Sequence, residues 1–357
     1  MSQHNQISSK SLDDFSESKI VINVDSIANH INELVNTTEE KPNLFKVMPA
    51  NRWMEQAKLT SIPKMLFSEF WFEYEICILF SDTNAGKSIL GVQIGNSISK
   101  GEAICGFKLE AARQLILYYD FELSVKQFEG RYSKDYEDQY RFDDNFIRIE
   151  IDKDSVIPDN ISFPDYLIQS LEQNIIETGA KVLIIDNITY LKDDNEKAKD
   201  ALPLMKRLKS IKSTYNLSML VLAHTPKRDL TKPITKNDLA GSKMLINFCD
   251  SSFSIGESSV DSTYRYLKQV KQRNTEQIFD ADNVCVCQIV KPSNFLHFEF
   301  SDLGKEFDHL KRQTESDKDL QKEKVIELNL SGESLRDIAL ELGISHMKVS
   351  RILKSVT

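Results

Sequence analysis

The sequence lacks a long apolar run, a paired-cysteine motif and an excess of positive charge. No stretch of about 18 apolar residues is present and the N-terminus is polar, so neither a membrane span nor a signal peptide is expected. The five cysteines lie in apolar segments without C-x-x-C spacing, which favours core thiols over a zinc or redox site. The net charge of −9 limits any nucleic-acid contact to local basic patches. A cytoplasmic protein is expected.

The 357 residues, of which 41% are hydrophobic, suffice for one core of ordinary size and small appendages. Residues 1–42 are polar and poor in aromatics, which predicts a flexible N-terminal tail. A main domain is expected over 43–310, a charged linker over 311–322 and a small helical domain over 323–357.

Strand-like and helical patterns alternate through the middle of the main domain. The predicted strands are 76–80, 114–119, 182–185 and 218–223, and the predicted helices are 86–100, 165–178 and 197–215. Such alternation predicts an α/β fold with a mainly parallel sheet that is covered by helices on both faces. Later strand-like runs are closely spaced and are expected to extend the sheet or form a hairpin; they lie at 252–255, 264–270, 284–290 and 295–300.

A phosphate-binding loop is the first motif with chemistry. Residues 81–88 fit the pattern G-x-x-x-x-G-K-[ST], except that Ser81 replaces the first glycine. The strand before it and the helical spacing after it are the placement that the motif needs. Lys87 is expected to reach the β- and γ-phosphates of ATP, and Ser88 to bind Mg²⁺. The candidate nucleotide-binding residues are Ser81, Asp82, Thr83, Asn84, Ala85, Gly86, Lys87, Ser88 and Ile89.

A carboxylate follows a second apolar run. Residues 182–185 precede Asp186, in a pattern that resembles a Walker B motif. Open α/β sheets place ligands at the carboxyl ends of their strands, so Asp186 on a neighbouring strand would hold the magnesium shell together with Ser88. The alternative for an isolated Asp at this position is a turn residue.

The acidic segment after residues 115–119 makes the resemblance specific. The chain resembles the RecA-like P-loop ATPases of the AAA family, in the branch with the DnaB-type and plasmid RepA hexameric helicases. In that branch a glutamate after this strand activates the attacking water, and Glu122, followed by Leu123-Ser124, occupies the matching place. Asp120, which is also acidic and near the strand end, remains an alternative.

Two further elements match this branch over residues 43–310. His224 follows a strand-like run where these proteins carry a polar sensor of the γ-phosphate. Lys271-Gln272-Arg273 matches their Lys-x-Arg element, in which the arginine of one subunit completes the ATP site of its neighbour. Arg273 is preferred over Lys271 for this role. The resemblance therefore implies a homo-oligomer, in the form of a hexameric ring.

A polar loop after His224 carries clustered cations. In RecA-like rings the corresponding loops face the central channel, and lysine or arginine contacts to phosphate there give salt-sensitive binding without sequence preference. A solvated surface loop is the alternative. The candidate DNA-binding residues of this loop are Lys227, Arg228, Lys232, Lys236 and Lys243.

The C-terminal residues predict three short helices that resemble a helix-turn-helix. Ser334 is placed to cap the second helix, Ile338 and Leu342 to face its core, and Ser345 to start the third. A polar, basic outer face on the third helix suits the major groove of DNA. A protein-binding module is the alternative. The candidate DNA-binding residues are Ser345, His346, Lys348, Ser350, Arg351 and Lys354.

Together these motifs predict an oligomeric ATPase that acts on DNA as a helicase, a translocase or a replication initiator of a plasmid or mobile element. Its expected cofactors are ATP and Mg²⁺. The alternative is an ATP-controlled DNA-binding regulator or loader with slow turnover, and a filament-forming recombinase is a third possibility.

Overall fold

The computed structural model describes residues 45–152, 154–188, 201–226, 228–239, 242–312, 315–342 and 344–355. The chain divides into two compact units, Met1–Ser61 and Ile62–Thr357. In the first unit the described part holds one helix, α1 (Ala50–Ala57). The tail predicted over 1–42 lies outside the described residues.

The second unit contains strands and helices that alternate along most of the chain. Its strands are β1 (Met65–Phe67), β2 (Trp71–Phe72), β3 (Ile76–Ser81), β4 (Ile116–Asp120), β5 (Ser133–Lys134), β6 (Asp138–Gln139), β7 (Phe146–Ile149), β8 (Val182–Asp186), β9 (Ser218–His224), β10 (Ser251–Glu257), β11 (Tyr264–Lys271), β12 (Val284–Val290) and β13 (His297–Gly304). Its helices are α2 (Lys87–Lys100), α3 (Val125–Arg131), α4 (Phe163–Thr178), α5 (Ala201–Tyr215), α6 (Ser242–Phe248), α7 (Glu306–His309), α8 (Glu315–Leu330), α9 (Leu335–Glu341) and α10 (His346–Lys354).

One nine-stranded sheet organises this unit. Its strand order is β13-β12-β11-β10-β3-β9-β8-β4-β7. Neighbouring strands from β10 to β7 are parallel, and those from β10 to β13 are antiparallel. The predicted α/β class with a mainly parallel sheet is therefore confirmed, and the late strand-like runs extend the sheet as antiparallel strands.

The position of two strands differs from the simplest expectation. Strand β9 lies between β3 and β8, so the strand that ends at Asp186 is not the direct neighbour of the phosphate-loop strand. Strand β7 was not predicted, because it has only four residues and one of them is Arg148. The guanidinium of Arg148 pairs with the buried carboxylate of Asp120, which explains a charged residue in the sheet.

The sheet has a separate apolar core on each face, as expected for strands that are covered on both sides. On β3, Ile76, Ile78 and Phe80 belong to one core, and Cys77 and Leu79 to the other. Helices α4 and α5 cover the first face and α2 covers the second. Helix α2 approaches the sheet closely, since a Cβ on its Gly95 would lie 2.6 Å from Cδ1 of Ile116.

Helices α8, α9 and α10 pack around a small core of their own. Helix α8 begins at Glu315, so most of the range 311–322, which was predicted to be a linker, is helical. Ser334 caps α9 and Ser345 caps α10. In each case the side-chain hydroxyl accepts the backbone N–H of the residue three positions later. The buried residues of this core are Val325, Ile338, Ile344, Val349 and Ile352.

Candidate active site

The loop between β3 and α2 has the shape of an anion cradle. Asn84 and Gly86 have positive φ angles of 65° and 106°. A Cβ on Gly86 would lie 2.8 Å from the ring of Phe298 and 2.9 Å from Ile289, so only glycine fits there. No side chain caps the N-terminus of α2. Its first N–H groups therefore remain available to an anionic ligand.

The ammonium of Lys87 lies inside this loop. Nζ donates to the carbonyl oxygens of Ser81 and Asp82 at 3.2 Å and 3.1 Å, and to the Ser81 hydroxyl at 3.2 Å. Burial lowers the pKa of Lys87, while the carboxylates of Asp186, Glu122 and Asp82 act in the opposite direction. The hydroxyl of Ser81 thus gives a hydrogen-bond acceptor at the position where the motif usually has glycine.

Asp186 lies at the carboxyl end of β8 and fits a magnesium ligand. Burial raises its pKa to about 6, and hydrogen bonds from Ser88 and Tyr118 partly offset that rise. The Tyr118 hydroxyl donates to Oδ2 at 2.7 Å, whereas the buried Oδ1 accepts no hydrogen bond from any described residue. A buried carboxylate oxygen without a partner is costly unless a cation satisfies it.

The described residues hold no cluster of three or more His, Cys, Asp or Glu that would bind a metal ion by themselves. Magnesium in nucleotide sites needs only one or two protein ligands, because phosphate oxygens and water complete its shell. The Ser88 hydroxyl and the Asp186 carboxylate therefore suit Mg²⁺ that arrives with a nucleotide.

Glu122 and Asp120 have different surroundings. The carboxylate of Asp120 is fully buried, accepts the N–H groups of Glu122 and Leu123 at 3.2 Å and 2.9 Å, and pairs with Arg148 at 2.9 Å. The carboxylate of Glu122 is 33% exposed and lies 3.4 Å from Nε2 of His224. Asp120 is thus occupied in holding the loop, whereas Glu122 faces the space beside Lys87.

His224 connects Lys87 to Glu122. Its Nδ1 lies 3.1 Å from Nζ of Lys87, which can only donate, and its other ring nitrogen is Nε2. That nitrogen faces Glu122. The hydrogen bond from His224 is the main cause that lowers the pKa of Glu122, and the charges of Lys87 and Arg131 act in the same direction.

Asn187 is a member of the site that the sequence reasoning missed. Its side chain is buried, its Nδ2 donates to Oε1 of Glu122, and the same nitrogen lies 3.0 Å from Nε2 of His224. The available signal was its position directly after Asp186, at the end of a buried strand where the residues around a ligand gather.

The start of the loop after β9 is attached to the phosphate loop. The hydroxyl of Thr225 donates to Asp82, and Nε of Arg228 lies 3.3 Å from the same carboxylate. The side chain of Arg228 is only 5% exposed. Arg228 was predicted to contact DNA. In this structure its guanidinium instead forms an ion pair with Asp82, and its side chain is almost fully buried.

The other cations of that loop have varied positions. Lys232 is 55% exposed and pairs with Asp229 at 3.0 Å. Lys236 is exposed on a short 3-10 helix, Lys236–Asp238, and lines a groove together with Lys271. Lys243 belongs to α6, and Lys227 lies outside the described residues.

Lys271 and Arg273 lie away from the phosphate loop of their own chain. In the strand register, Lys271 lies opposite Ser252, and Ser252 lies opposite Ile78 in the first half of β3. The phosphate loop begins at the other end of β3, so Lys271 is separated from it. Nζ of Lys271 donates to two backbone carbonyls at the end of α6, and burial lowers its pKa. Arg273 is 49% exposed and pairs with Asp250 at 3.0 Å. The structure thus separates this pair from Lys87, Glu122, Asp186 and His224, which it brings together.

The candidate residues of α10 lie on the side away from the small helical core. His346, Arg351 and Lys354 are exposed, and Lys348 and Ser350 are half-buried. The hydroxyl of Ser345 accepts the N–H of Lys348 at 3.2 Å. The positive charges of Lys348, Arg351 and Lys354 lie on one face of the helix, which suits a partner with many negative charges.

Comparisons with known proteins give one family match. Residues 42–229, more than half of the 357 residues, match the model of a family described as AAA domain. A solved structure of a KaiC-like protein from the hyperthermophilic archaeon Pyrococcus horikoshii is similar at 14% identity and a TM-score of 0.44, over 64% of this chain and 91% of that chain. No curated protein matches the sequence.

The family match includes the phosphate loop, Glu122, Asp186 and His224, and it ends before Arg273. In the part of the chain that the structure describes, no helix is both long and apolar enough to cross a membrane.

Proposed function

The chain belongs to the AAA domain family, and from that membership and the geometry of the site we propose that it hydrolyses ATP at the carboxyl edge of its parallel strands and uses the energy on DNA. The observation that carries the proposal is the meeting of Lys87, Glu122 and His224 near Asp186, whose Oδ1 accepts no hydrogen bond from the described residues.

In the proposed reaction, the N–H groups of α2 and the ammonium of Lys87 bind the phosphates of ATP. Glu122 accepts a proton from the water that attacks the γ-phosphorus, and the bond from that phosphorus to the bridging oxygen of ADP breaks. Ser88 and Asp186 would hold Mg²⁺, which supplies charge neutralisation at the phosphate oxygens. His224, which faces both Lys87 and Glu122, is suited to sense whether the γ-phosphate is present.

Three features support action on DNA. The loop that begins at Thr225 is bonded to the phosphate loop and carries the exposed Lys232 and Lys236. The three C-terminal helices, which resemble a helix-turn-helix, present cations on α10. Arg273 lies far from its own site, which is the arrangement needed by an arginine that completes a neighbour's site. We therefore propose a RecA-like hexameric ring that works as a helicase, a translocase or a replication initiator of a plasmid or mobile element.

A second candidate function is an ATP-controlled DNA-binding regulator or loader with slow turnover. It is favoured by the separate core of α8, α9 and α10, which gives the chain a DNA-binding candidate independent of the ATP site.

The direct test is phosphate release by the full chain and by Lys87→Ala, without DNA and with single-stranded or duplex DNA. We expect hydrolysis by the wild type, stimulation by DNA, and loss of activity in the variant. A wild type without hydrolysis would contradict the ATPase proposal. Hydrolysis that DNA changes only slightly, with tight duplex binding, would favour the regulator. Size measurement with a non-hydrolysed ATP analogue tests the ring.

A further inference from the structure

The last residue of α3, Arg131, has a guanidinium nitrogen that the fold does not satisfy. Its Nη1 is buried and has no hydrogen-bond partner among the described residues. An arginine keeps its charge at every physiological pH, and its N–H groups only donate. A buried, charged donor without an acceptor is costly, so such a nitrogen indicates an acceptor that is absent from the protein itself.

Helix α3 holds Arg131 in a fixed relation to Glu122. The N-cap of the helix, Ser124, lies two residues after Glu122 and forms a capping box, in which the Ser124 hydroxyl accepts the N–H of Gln127 at 3.3 Å and the Gln127 side chain accepts the N–H of Ser124 at 2.9 Å. A helix with this cap has a defined start. Arg131 therefore lies two turns along a rigid element that departs from the proposed base.

The connection between β12 and β13 ties the same arginine to the phosphate loop. The carbonyl of Arg131 accepts the N–H of Leu296 at 3.2 Å, and the carbonyl of Gly130 accepts Nζ of Lys291 at 2.7 Å. The strands on either side of this connection supply Ile289 and Phe298, which lie against the Cα of Gly86. Arg131 is thus fixed by backbone contacts on the same hairpin that forms one wall of the phosphate loop.

The electrostatic surroundings point to the space in front of Asp186. The charge of Arg131 is one of those that lower the pKa of Glu122. Beside it, Tyr132 has a buried hydroxyl that also has no hydrogen-bond partner among the described residues, and its pKa is raised by burial and by the charge of Asp186. Among the described residues, Arg131, Tyr132 and Asp186 thus each have one buried polar atom without a hydrogen-bond partner.

We propose that the guanidinium of Arg131 donates to the γ-phosphate of ATP bound in the same subunit. The proposal rests on the proposed ATPase function and adds a residue to it. We choose the γ-phosphate as the acceptor because it would lie next to the water that Glu122 activates, and the charge of Arg131 acts on Glu122. Arg131 would act from within the subunit, in contrast to Arg273, which would act on a neighbour. Arginine presents its N–H donors in a planar fork that can bond two phosphate oxygens at once, whereas lysine carries a single ammonium group.

The test compares ATP and ADP binding by calorimetry, together with kcat for phosphate release, in the full chain and in Arg131→Met, Arg131→Lys and the exposed control Arg141→Met. We expect Arg131→Met to weaken ATP binding about 10- to 100-fold while ADP binding stays within twofold of the wild type. Its kcat should fall by a similar factor. Arg131→Lys should recover only part of the loss, and Arg141→Met should behave as the wild type.

Retained ADP binding also shows that the variant is folded. Equal weakening of ATP and ADP, or no weakening of either, would overturn the role of Arg131 while leaving the ATPase proposal intact. A wild type that binds neither nucleotide would overturn both. If Arg131→Met binds no nucleotide and unfolds at a lower temperature, Arg131→Lys decides, because a lysine variant with normal ATP selectivity contradicts the proposed contact.

Discussion

The carboxyl ends and the amino ends of the parallel strands form two edges of the central sheet, and the charged groups at these two edges differ in how completely they are hydrogen-bonded. At the carboxyl edge of the parallel strands and on the helix that follows β4, Asp186 and Arg131 each have a buried atom without a partner among the described residues. At the amino edge, Asp250 accepts from the backbone of Ile76, from Lys212 and from Arg273. Its neighbour Glu75 is equally well bonded, to the N–H of Phe72 and to two polar side chains.

This contrast separates a site that is prepared for a ligand from a cluster that is complete within the chain. Unpaired buried groups are tolerated where a ligand supplies the missing partner. At the amino edge Arg273 is half-exposed, and it must leave Asp250 to contact a phosphate of another subunit. The carboxyl edge is therefore expected to govern chemistry directly, and the amino edge to act on it only across a subunit boundary.

The largest expected effect tests whether the amino edge acts in trans. We expect Arg273→Ala to lower kcat about 1,000-fold or more, because an arginine that stabilises the transferred phosphoryl group contributes about that much. ATP binding to each subunit should remain. Mixing Arg273→Ala with Glu122→Gln should restore activity in steady-state phosphate release, since mixed interfaces combine an intact base with an intact arginine. Full activity of Arg273→Ala alone would remove this role.

The next effect distinguishes the two acids of the carboxyl edge. Glu122→Gln should lower kcat by about 1,000-fold, within the range for loss of a general base, and leave the unfolding temperature near that of the wild type. Asp120→Asn should instead lower the free energy of unfolding by about 3 kcal/mol, because it leaves Arg148 without its buried partner. Phosphate-release assays and thermal melts on both variants measure this. Loss of activity in Asp120→Asn with loss of stability in Glu122→Gln would show that the two roles are exchanged.

Glu75 gives the amino edge a pH signature. Burial raises its pKa from 4.5 to about 7. The folded chain therefore holds more protons than the unfolded chain between these values, so the free energy of unfolding falls as pH rises from about 4.5 to about 7. Glu75→Gln should remove up to about 3 kcal/mol of that fall. Urea unfolding at pH 5 and pH 8 measures it, and identical pH dependence in both proteins would contradict the assignment.

The smallest expected effect concerns DNA. Replacing Lys232 and Lys236 by alanine should weaken single-stranded DNA binding about tenfold and reduce the log–log salt slope by about 1.4, as expected for two lost phosphate contacts. A matched control replaces Lys134 and Lys181, which are exposed elsewhere on the ATPase domain. Binding that changes equally in both double variants would show that the loop has no special part.

The sequence predicted well where the strands that lead to the carboxyl edge end, because a phosphate loop and strand-end carboxylates follow local rules. Strand bounds near Glu122, Asp186 and His224 agree with the patterns within one or two residues. Local patterns do not determine which strands become neighbours. The place of β9 between β3 and β8 depends on long-range packing, which no periodicity encodes.

The contacts of cations were the least predictable part. Arg228 was predicted to contact DNA and Arg273 to complete a neighbour's ATP site, and in the structure each pairs with a carboxylate that is distant along the chain, Asp82 and Asp250. Asn187 and Arg131 carried no motif signal, since their importance comes from neighbours brought together by folding. Burial and unpaired atoms identify such residues only once the fold is known.

The contact of Gly86 with Phe298 has a consequence for how the protein is made. These residues are 212 positions apart, so the phosphate loop leaves the ribosome long before the hairpin that forms its wall. Contacts of such large sequence separation form late, because they close a long stretch of chain. A growing chain thus carries its phosphate loop before the wall beside Gly86 exists, and that wall is added only after translation has passed β13.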